Sequence, residues 1–323
     1  MKNQLAIAID IGGTSIKCGF VNREGKILHR FSVSFEKEVP QEQMVLALIK
    51  AIKAEINAQG LAENDFLGIG VGCPGAIDAE KGVCEFAGNL NWRKVEIKKA
   101  FQEAFSLPFR ISNDANAAML GEARFGVGKE YRNLVLLTLG TGVGGGIYLD
   151  GHLYEGNKSQ GAELGYMIIK KDGRPCTSGL YGTLETYASA TALTKETTEA
   201  MEKHPESLLW KIAEGDIAKV DGRTAFLAAK LDDETAKAVL DEYEEDLAIG
   251  LLNYCNIFRP DAIILGGGIS KQGENLTKPL EEKLAKWNYG FPGAPKVRIL
   301  TSALGNDAGM LGAAALAFEK RAN

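Results

Sequence analysis

Two short glycine-rich turns, each set between apolar strands, constrain the fold of this chain more than any other feature. Residues 5–9 are an apolar run that ends in Asp10-Ile11-Gly12-Gly13-Thr14, and residues 16–21 return in an alternating pattern. Residues 134–139 repeat the order: an apolar run, then Gly140-Thr141-Gly142-Val143-Gly144-Gly145-Gly146, then a return over 147–149. Glycine adopts conformations that a Cβ forbids, so each stretch predicts a β-hairpin. A repeated unit of this kind predicts two halves of related fold. A turn without side chains also lets backbone N–H groups approach phosphate oxygens closely. Neither turn has the Gly-x-x-x-x-Gly-Lys-Ser/Thr of a P-loop. Gly140–Gly145 spells Gly-x-Gly-x-x-Gly, but a strand rather than a helix follows it, so a dinucleotide fingerprint is rejected.

Between the hairpins, strands and helices alternate. Apolar residues at 44, 45, 48, 49, 52 and 56 follow helical spacing over 41–59, with Gly60 as the stop. Residues 66–71 read as a buried strand ending in the turn Gly72-Cys73-Pro74-Gly75, and 109–111 as a strand running into an Ala-rich helix at Asn113-Asp114-Ala115-Asn116. Residues 195–256 read as mostly helical, 261–265 and 296–300 as strands, and 308–318 as a closing Ala-rich helix. The alternation predicts an α/β protein with helices on the faces of its sheets.

Composition excludes several classes. There are 37 basic against 42 acidic residues, with no Lys/Arg cluster, which argues against a nucleic-acid partner. Cysteines at 18, 73, 84, 176 and 255 are odd in number and irregularly spaced, so no disulfide framework is expected. No leader-like start and no run of membrane-spanning length is seen, and a cytoplasmic protein without a membrane partner is expected.

Two positions carry candidate chemistry. Asp10, at the end of a buried strand, is placed to hold Mg²⁺ directly or through water. The same letters also describe a tight turn with a capping Asp. Asp114, between a strand and a helix, can accept a hydroxyl proton, although an Asp there is also a common N-cap.

Taken in order, Asp10-Ile11-Gly12-Gly13-Thr14, Cys73-Pro74-Gly75, Asn89-Leu90-Asn91-Trp92, Asn113-Asp114-Ala115-Asn116, Gly140-Thr141-Gly142, Gly161-Ala162-Glu163, Leu184-Glu185 and Leu265-Gly266-Gly267-Gly268 resemble the ROK family of repressors, open reading frames and kinases. The resemblance implies the actin-like ATPase (ribonuclease H-like) fold, an α/β architecture with two related halves around a nucleotide and sugar cleft. Residues 1–117 would form the smaller half, with helix 308–323 packing back on it, and 118–307 the larger, hinged near 118. It implies an ATP-dependent sugar kinase of glucokinase type, acting on a hexose primary hydroxyl. N-acetylmannosamine, fructose, allose or a β-glucoside are alternative substrates, and a homodimer is the family's usual form.

By the same resemblance, Asp10, Gly12, Gly13, Thr14, Lys17, Gly140, Thr141, Gly142, Gly266, Gly267 and Gly268 would bind ATP, with Mg²⁺ at Asp10. Gly75, Asn89, Asn113, Asp114, Glu163, Tyr166 and Glu185 would bind sugar, Asp114 being the catalytic base. Repressors of the family carry an N-terminal DNA-binding segment, whereas the first strand begins here at residue 5. Retention of both Asp10 and Asp114 argues against a non-catalytic sugar-binding protein.

One stretch departs from the family. Many of its kinases carry Cys-x-Cys-Gly-x-x-Gly-Cys-x-Glu and an upstream Glu-x-Gly-His, which together hold a structural zinc ion. Here the stretches read Cys176-Thr177-Ser178-Gly179-Leu180-Tyr181-Gly182-Thr183-Leu184-Glu185 and Glu163-Leu164-Gly165-Tyr166. Structural zinc wants four strong Cys/His ligands, so no zinc is expected. Tyr166 and its neighbours would then hold the loop by packing and hydrogen bonds.

Overall fold

The structure is a computed structural model that describes residues 4–13, 15–34, 39–287 and 296–319. Strand β1 (Leu5–Ile11) is buried along almost its whole length, as its unbroken apolar run requires of a strand covered on both faces. It forms antiparallel hairpins in series with β2 (Ser15–Val21) and β3 (Ile27–Ser34), whose outer position shows in its strict half-exposed alternation. On its other side β1 pairs in parallel with β4 (Phe66–Cys73), which pairs in parallel with β8 (Phe109–Asn113). Between them, β5 (Ala76–Asp78), β6 (Val83–Ala87) and β7 (Trp92–Val95) form a small antiparallel sheet.

The two faces of this first sheet are built from different side chains. Leu5, Ile7, Ile9 and Ile11 of β1, with Ile69 and Val71 of β4, pack under helix α1 (Gln41–Ala58). The helix buries the six apolar positions that its spacing picked out. Helix α2 (Ile97–Ala104) adds Phe101 to this layer. The opposite face is nearly bare: Ala6 and Ala8 on β1, Gly68, Gly70 and Gly72 on β4. Helix α10 (Ala308–Phe318) lies against it through Met310, Ala313, Ala314 and Ala317. A Cβ at Gly70 would collide with the Ala313 carbonyl, and one at Gly68 would sit 3.0 Å from the Ala317 oxygen. Alternation of glycine with large apolar residues in β4 therefore sets how closely α10 approaches. Helix α3 (Asp114–Phe125) packs beside α10.

The second sheet has the same plan. Its order β11-β10-β9-β12-β13 matches β3-β2-β1-β4-β8 strand for strand. Here β9 (Leu134–Leu139), β12 (Ala262–Gly267) and β13 (Arg298–Thr301) are parallel, while β10 (Val143–Leu149) and β11 (His152–Tyr154) form an antiparallel hairpin. The expected related halves are thus present as repeated topology, and both glycine turns join strand to strand. Helices α4 (Glu185–Ala188), α5 (Ala190–Lys203), α6 (Leu208–Ile212), α7 (Thr224–Ala229), α8 (Glu234–Phe258) and α9 (Glu274–Trp287) accompany the second sheet.

The chain divides into two compact units. One runs to Glu130 and resumes over Gly146–Ala162 and from Ala303; the other comprises Tyr131–Gly145 and Glu163–Ser302. This division differs from the expected boundary at 117/118, because α3 continues unbroken through that position. The return of residues 146–162 to the first unit was also unforeseen. The expected closing helix ends at Phe318, and 320–323 lie outside the described residues. Among the described residues, no helix is long and apolar enough to cross a membrane.

Candidate active site

In the first unit, Asp10 is the last polar residue of an otherwise apolar strand and stands at its C-terminal end. Strand register sets Lys17 directly opposite it, with Lys17 Nζ 3.9 Å from Asp10 Oδ2 and donating to the Asn306 carbonyl at 3.3 Å. Burial pushes the Asp10 carboxyl up to about 6. Lys17 pulls it back only in part, and the negative charges of Asp114 and Asp307 add to the rise. Asp307 itself is held low by a two-point pair with Arg30, at 2.8 and 2.7 Å. The turn closes with Gly12 N–H donating to the Ser15 carbonyl at 3.0 Å. A Cβ at Gly12 would sit 2.8 Å from that same oxygen, whereas one at Gly13 would meet nothing within 4 Å. Thr14 lies outside the described residues.

At the junction of β8 and α3, Asp114 is not the N-cap residue. The cap is Asn113: its Oδ1 accepts the N–H groups of Ala115 at 2.9 Å and Asn116 at 3.4 Å. Its Nδ2 donates to the Gly75 carbonyl at 3.1 Å, tying the Cys73-Pro74-Gly75 turn to the start of the helix. Gly75 has a φ of +94°, and a Cβ there would strike the Phe86 carbonyl, so glycine is required. Asp114 is the first helical residue and is exposed, with its Oδ1 accepting the Ala115 N–H at 2.9 Å. Desolvation by its surroundings raises its carboxyl above the ordinary value, against the pull of backbone N–H groups and Asn113. Asn89 is exposed in the turn Gly88–Leu90.

In the second unit, the turn between β9 and β10 is closed by Gly140 N–H donating to the Gly142 carbonyl at 3.0 Å. Helix α5 braces it: Ala190 N–H donates to Gly140 O and Thr191 Oγ1 to Thr141 O, both at 2.8 Å. A Cβ at Gly140 would meet nothing within 4 Å, but one at Gly142 would run into the Glu185 carboxylate. Glu185 begins α4, and its Oε2 accepts the Val143 N–H at 3.0 Å. Cys176 Sγ donates to Glu185 Oε1 at 3.6 Å. Tyr166 follows Glu163 across the short turn Leu164–Tyr166. Partial burial raises its hydroxyl, and the charges of Glu185 and Glu163 add to the rise. Gly267, at the end of β12, has a φ of +85° and abuts the Leu139 backbone, while a Cβ at Gly268 would meet open space.

The structure therefore gathers Asp10, Lys17, Gly75, Asn113 and Asp114 in one unit. It gathers the Gly140–Gly142 turn, Glu163, Tyr166 and Glu185 in the other. Sequence reasoning missed Asp307 and the tie between Glu185 and Val143. An acidic residue just before an Ala-rich helix was a visible signal for the first; nothing local signalled the second.

The residues at 163–185 do not fit a zinc ion. Cys176 offers one thiol, and it faces a carboxylate. Among the described residues, no group of three or more His, Cys, Asp or Glu side chains is arranged to hold a metal. Magnesium is a different case, because it takes one or two carboxylates and completes its shell with water and phosphate oxygens. Asp10 fits that use, being a half-buried hard-oxygen donor that Lys17 neutralises only in part.

The model of the ROK family matches residues 6–320. The chain is 36% identical over 316 residues to a glucokinase of Thermotoga maritima, spanning 97% of each chain. It is 34% identical over 316 residues to a glucokinase of Halalkalibacterium halodurans, spanning 97% of this chain and 94% of that one. A ROK family glucokinase from Streptomyces griseus, solved in complex with glucose and AMPPNP, superposes with a TM-score of 0.79 at 34% identity, over 97% of this chain and 98% of that one. The ROK hexokinase from Thermus thermophilus gives 0.81 at 29% identity over 98% of each. The fold is that of the ROK kinases within the actin-like ATPases, and the chain belongs to the ROK family.

Proposed function

We propose that this chain is an ATP-dependent hexokinase of glucokinase type, with Asp114 as the general base. One observation carries the reading. Asn113 is the cap residue of α3, and the Asp114 carboxylate beside it, which shares the Ala115 N–H, is raised in pKa and adds its charge to the field at Asp10. A carboxylate with a raised pKa is a better proton acceptor near neutral pH. As the sugar primary hydroxyl attacks the γ-phosphorus, its proton passes to Asp114, a new O–P bond forms, and the bond to the bridging oxygen breaks to release ADP.

Phosphoryl transfer asks the protein mainly for position and charge. Backbone N–H groups of the Gly12-Gly13 and Gly140-Thr141-Gly142 turns would hold the phosphates, and the open space over Gly13 and Gly140 supports this. Gly266, Gly267 and Gly268 would lie along the adenosine. Asp10 would hold Mg²⁺, which supplies neutralising charge at the phosphates when bound. Asn89, Asn113, Glu163, Tyr166 and Glu185 would bind the sugar hydroxyls, beside the Gly75 backbone. Glucose is the first substrate to expect, since the relatives at 33–36% identity are glucokinases.

A second sugar is favoured by one feature. Tyr166 is 37% exposed and would put a bulky ring at the sugar end. ADP release measured across hexoses, acetamido sugars and β-glucosides separates these cases. Absence of release with every sugar would overturn the kinase reading.

A further inference from the structure

Glu163, Tyr166 and Glu185 sit at the two ends of one long loop, and something must hold that loop in shape. Its backbone folds on itself through two isolated antiparallel bridges, Ile168 with Thr183 and Pro175 with Tyr181. Its side chains do more. Lys170 Nζ lies 4.4 Å, and the Arg174 guanidinium 4.6 Å, from the centre of the Tyr187 ring. The Tyr187 hydroxyl accepts the Arg174 backbone N–H at 2.8 Å. Each cation is also anchored to a buried carboxylate on a different helix, Lys170 to Asp246 on α8 at 2.8 Å and Arg174 to Glu196 on α5. Tyr254, also on α8, donates to the Leu164 carbonyl at 2.6 Å and fixes the start of the loop. Cations over an aromatic face bind most strongly when water is excluded, and Tyr187 is 5% exposed.

We infer that Lys170, Arg174 and Tyr187 form a metal-free staple that holds the 163–185 loop and positions Glu163, Tyr166 and Glu185 for the sugar. Tyr187 is the pivot, since it lies on α4 two residues beyond Glu185, so fixing the ring fixes that carboxylate. Glycine completes the closure: a Cβ at Gly173 would strike the Tyr187 hydroxyl, and one at Gly182 would strike the Lys170 carbonyl. The loop-holding half stands on these contacts alone; the sugar-positioning half rests on the kinase reading.

The test uses the full-length protein and chymotrypsin, which reads the loop at Leu180 and Tyr181, 42% and 58% exposed. In wild type, cutting there is expected to be slow and unchanged by a strong zinc chelator. Tyr187→Leu should speed cutting at these two sites roughly tenfold, the scale of losing two partly exposed cation–ring contacts. Lys170→Met and Arg174→Met should each do so by a smaller factor, and they keep the question answerable if Tyr187→Leu fails to fold. In the folded variants the sugar KM should rise several-fold with kcat nearly constant. Chelator-accelerated cutting of wild type, or variants cut at the wild-type rate, would overturn the staple. Faster cutting with an unchanged sugar KM would overturn its positioning role, whereas absence of kinase activity in wild type would leave the proteolysis result standing and sink only the functional reading.

Discussion

Glu185 and Val143 are joined directly: the Glu185 carboxylate accepts the Val143 N–H at 3.0 Å, inside the second glycine hairpin. A residue expected to touch sugar is thereby also a brace for a turn expected to touch phosphate. Glu185→Ala should raise the KM for ATP as well as for sugar. A lost hydrogen bond to a charged group weakens the system by roughly 1.5–3 kcal/mol, so kcat/KM should fall about ten- to a hundredfold. Steady-state kinetics in both substrates checks this, and a change confined to sugar would contradict the shared role.

Asp114→Asn keeps the shape of the junction and removes the proton acceptor. Because Asn113 carries the cap, the variant should melt within a few degrees of wild type. Its kcat should drop about a thousandfold, within the range for loss of a general base. Isothermal titration should still register sugar binding.

The two glycines of the first turn should respond in opposite ways. Gly12→Ala forces a Cβ to 2.8 Å from the Ser15 carbonyl and should destabilise the fold by roughly 1–3 kcal/mol, as overpacking does. Gly13→Ala adds a methyl group to open space, so the melting temperature should hold while the KM for ATP rises several-fold. Thermal melts set beside ATP titrations distinguish the two.

Asp10 gives the protein a pH dependence of definite sign. Its folded pKa, about 6, lies above the ordinary 3.8, so between those values the folded state holds more protons than the unfolded one. Stability contributed by this group is therefore full at low pH and declines as pH rises from about 4 to about 6, by about 3 kcal/mol at most. Asp10→Asn should melt higher than wild type at pH 8 without nucleotide, match it near pH 4, and lose turnover. Equal melting of the two at pH 8 would contradict a half-buried carboxylate that Lys17 compensates only in part.

Much of this was legible in the sequence because it is local. The apolar run of β1 and the six-residue stripe of α1 each follow from the period of their own element. Both hairpins were marked by their glycines, and the repeated plan by their recurrence. At 113–114 two residues that both make good caps stand side by side, and only backbone geometry selects Asn113. Nothing local could show Arg30 bound to Asp307, or α3 carrying the first unit past residue 118, since both are set by distant parts of the chain. The strand expected at 296–300 is observed as Arg298–Thr301, because its pairing with β12 fixes its ends.

The bare face of β1 and β4 has a consequence for how the chain is made. Those strands are synthesised well before α10, which covers Ala6, Ala8 and the glycines of β4 and follows even the last strand of the second sheet. Until then a strip of backbone and small apolar side chains lies open to solvent and to other nascent chains, the kind of surface on which aggregation starts. A stop codon after residue 302 would remove α10 altogether while leaving most of the candidate catalytic residues in place. Such a product should collect in the insoluble fraction instead of retaining partial activity, because the first sheet would lack its cover.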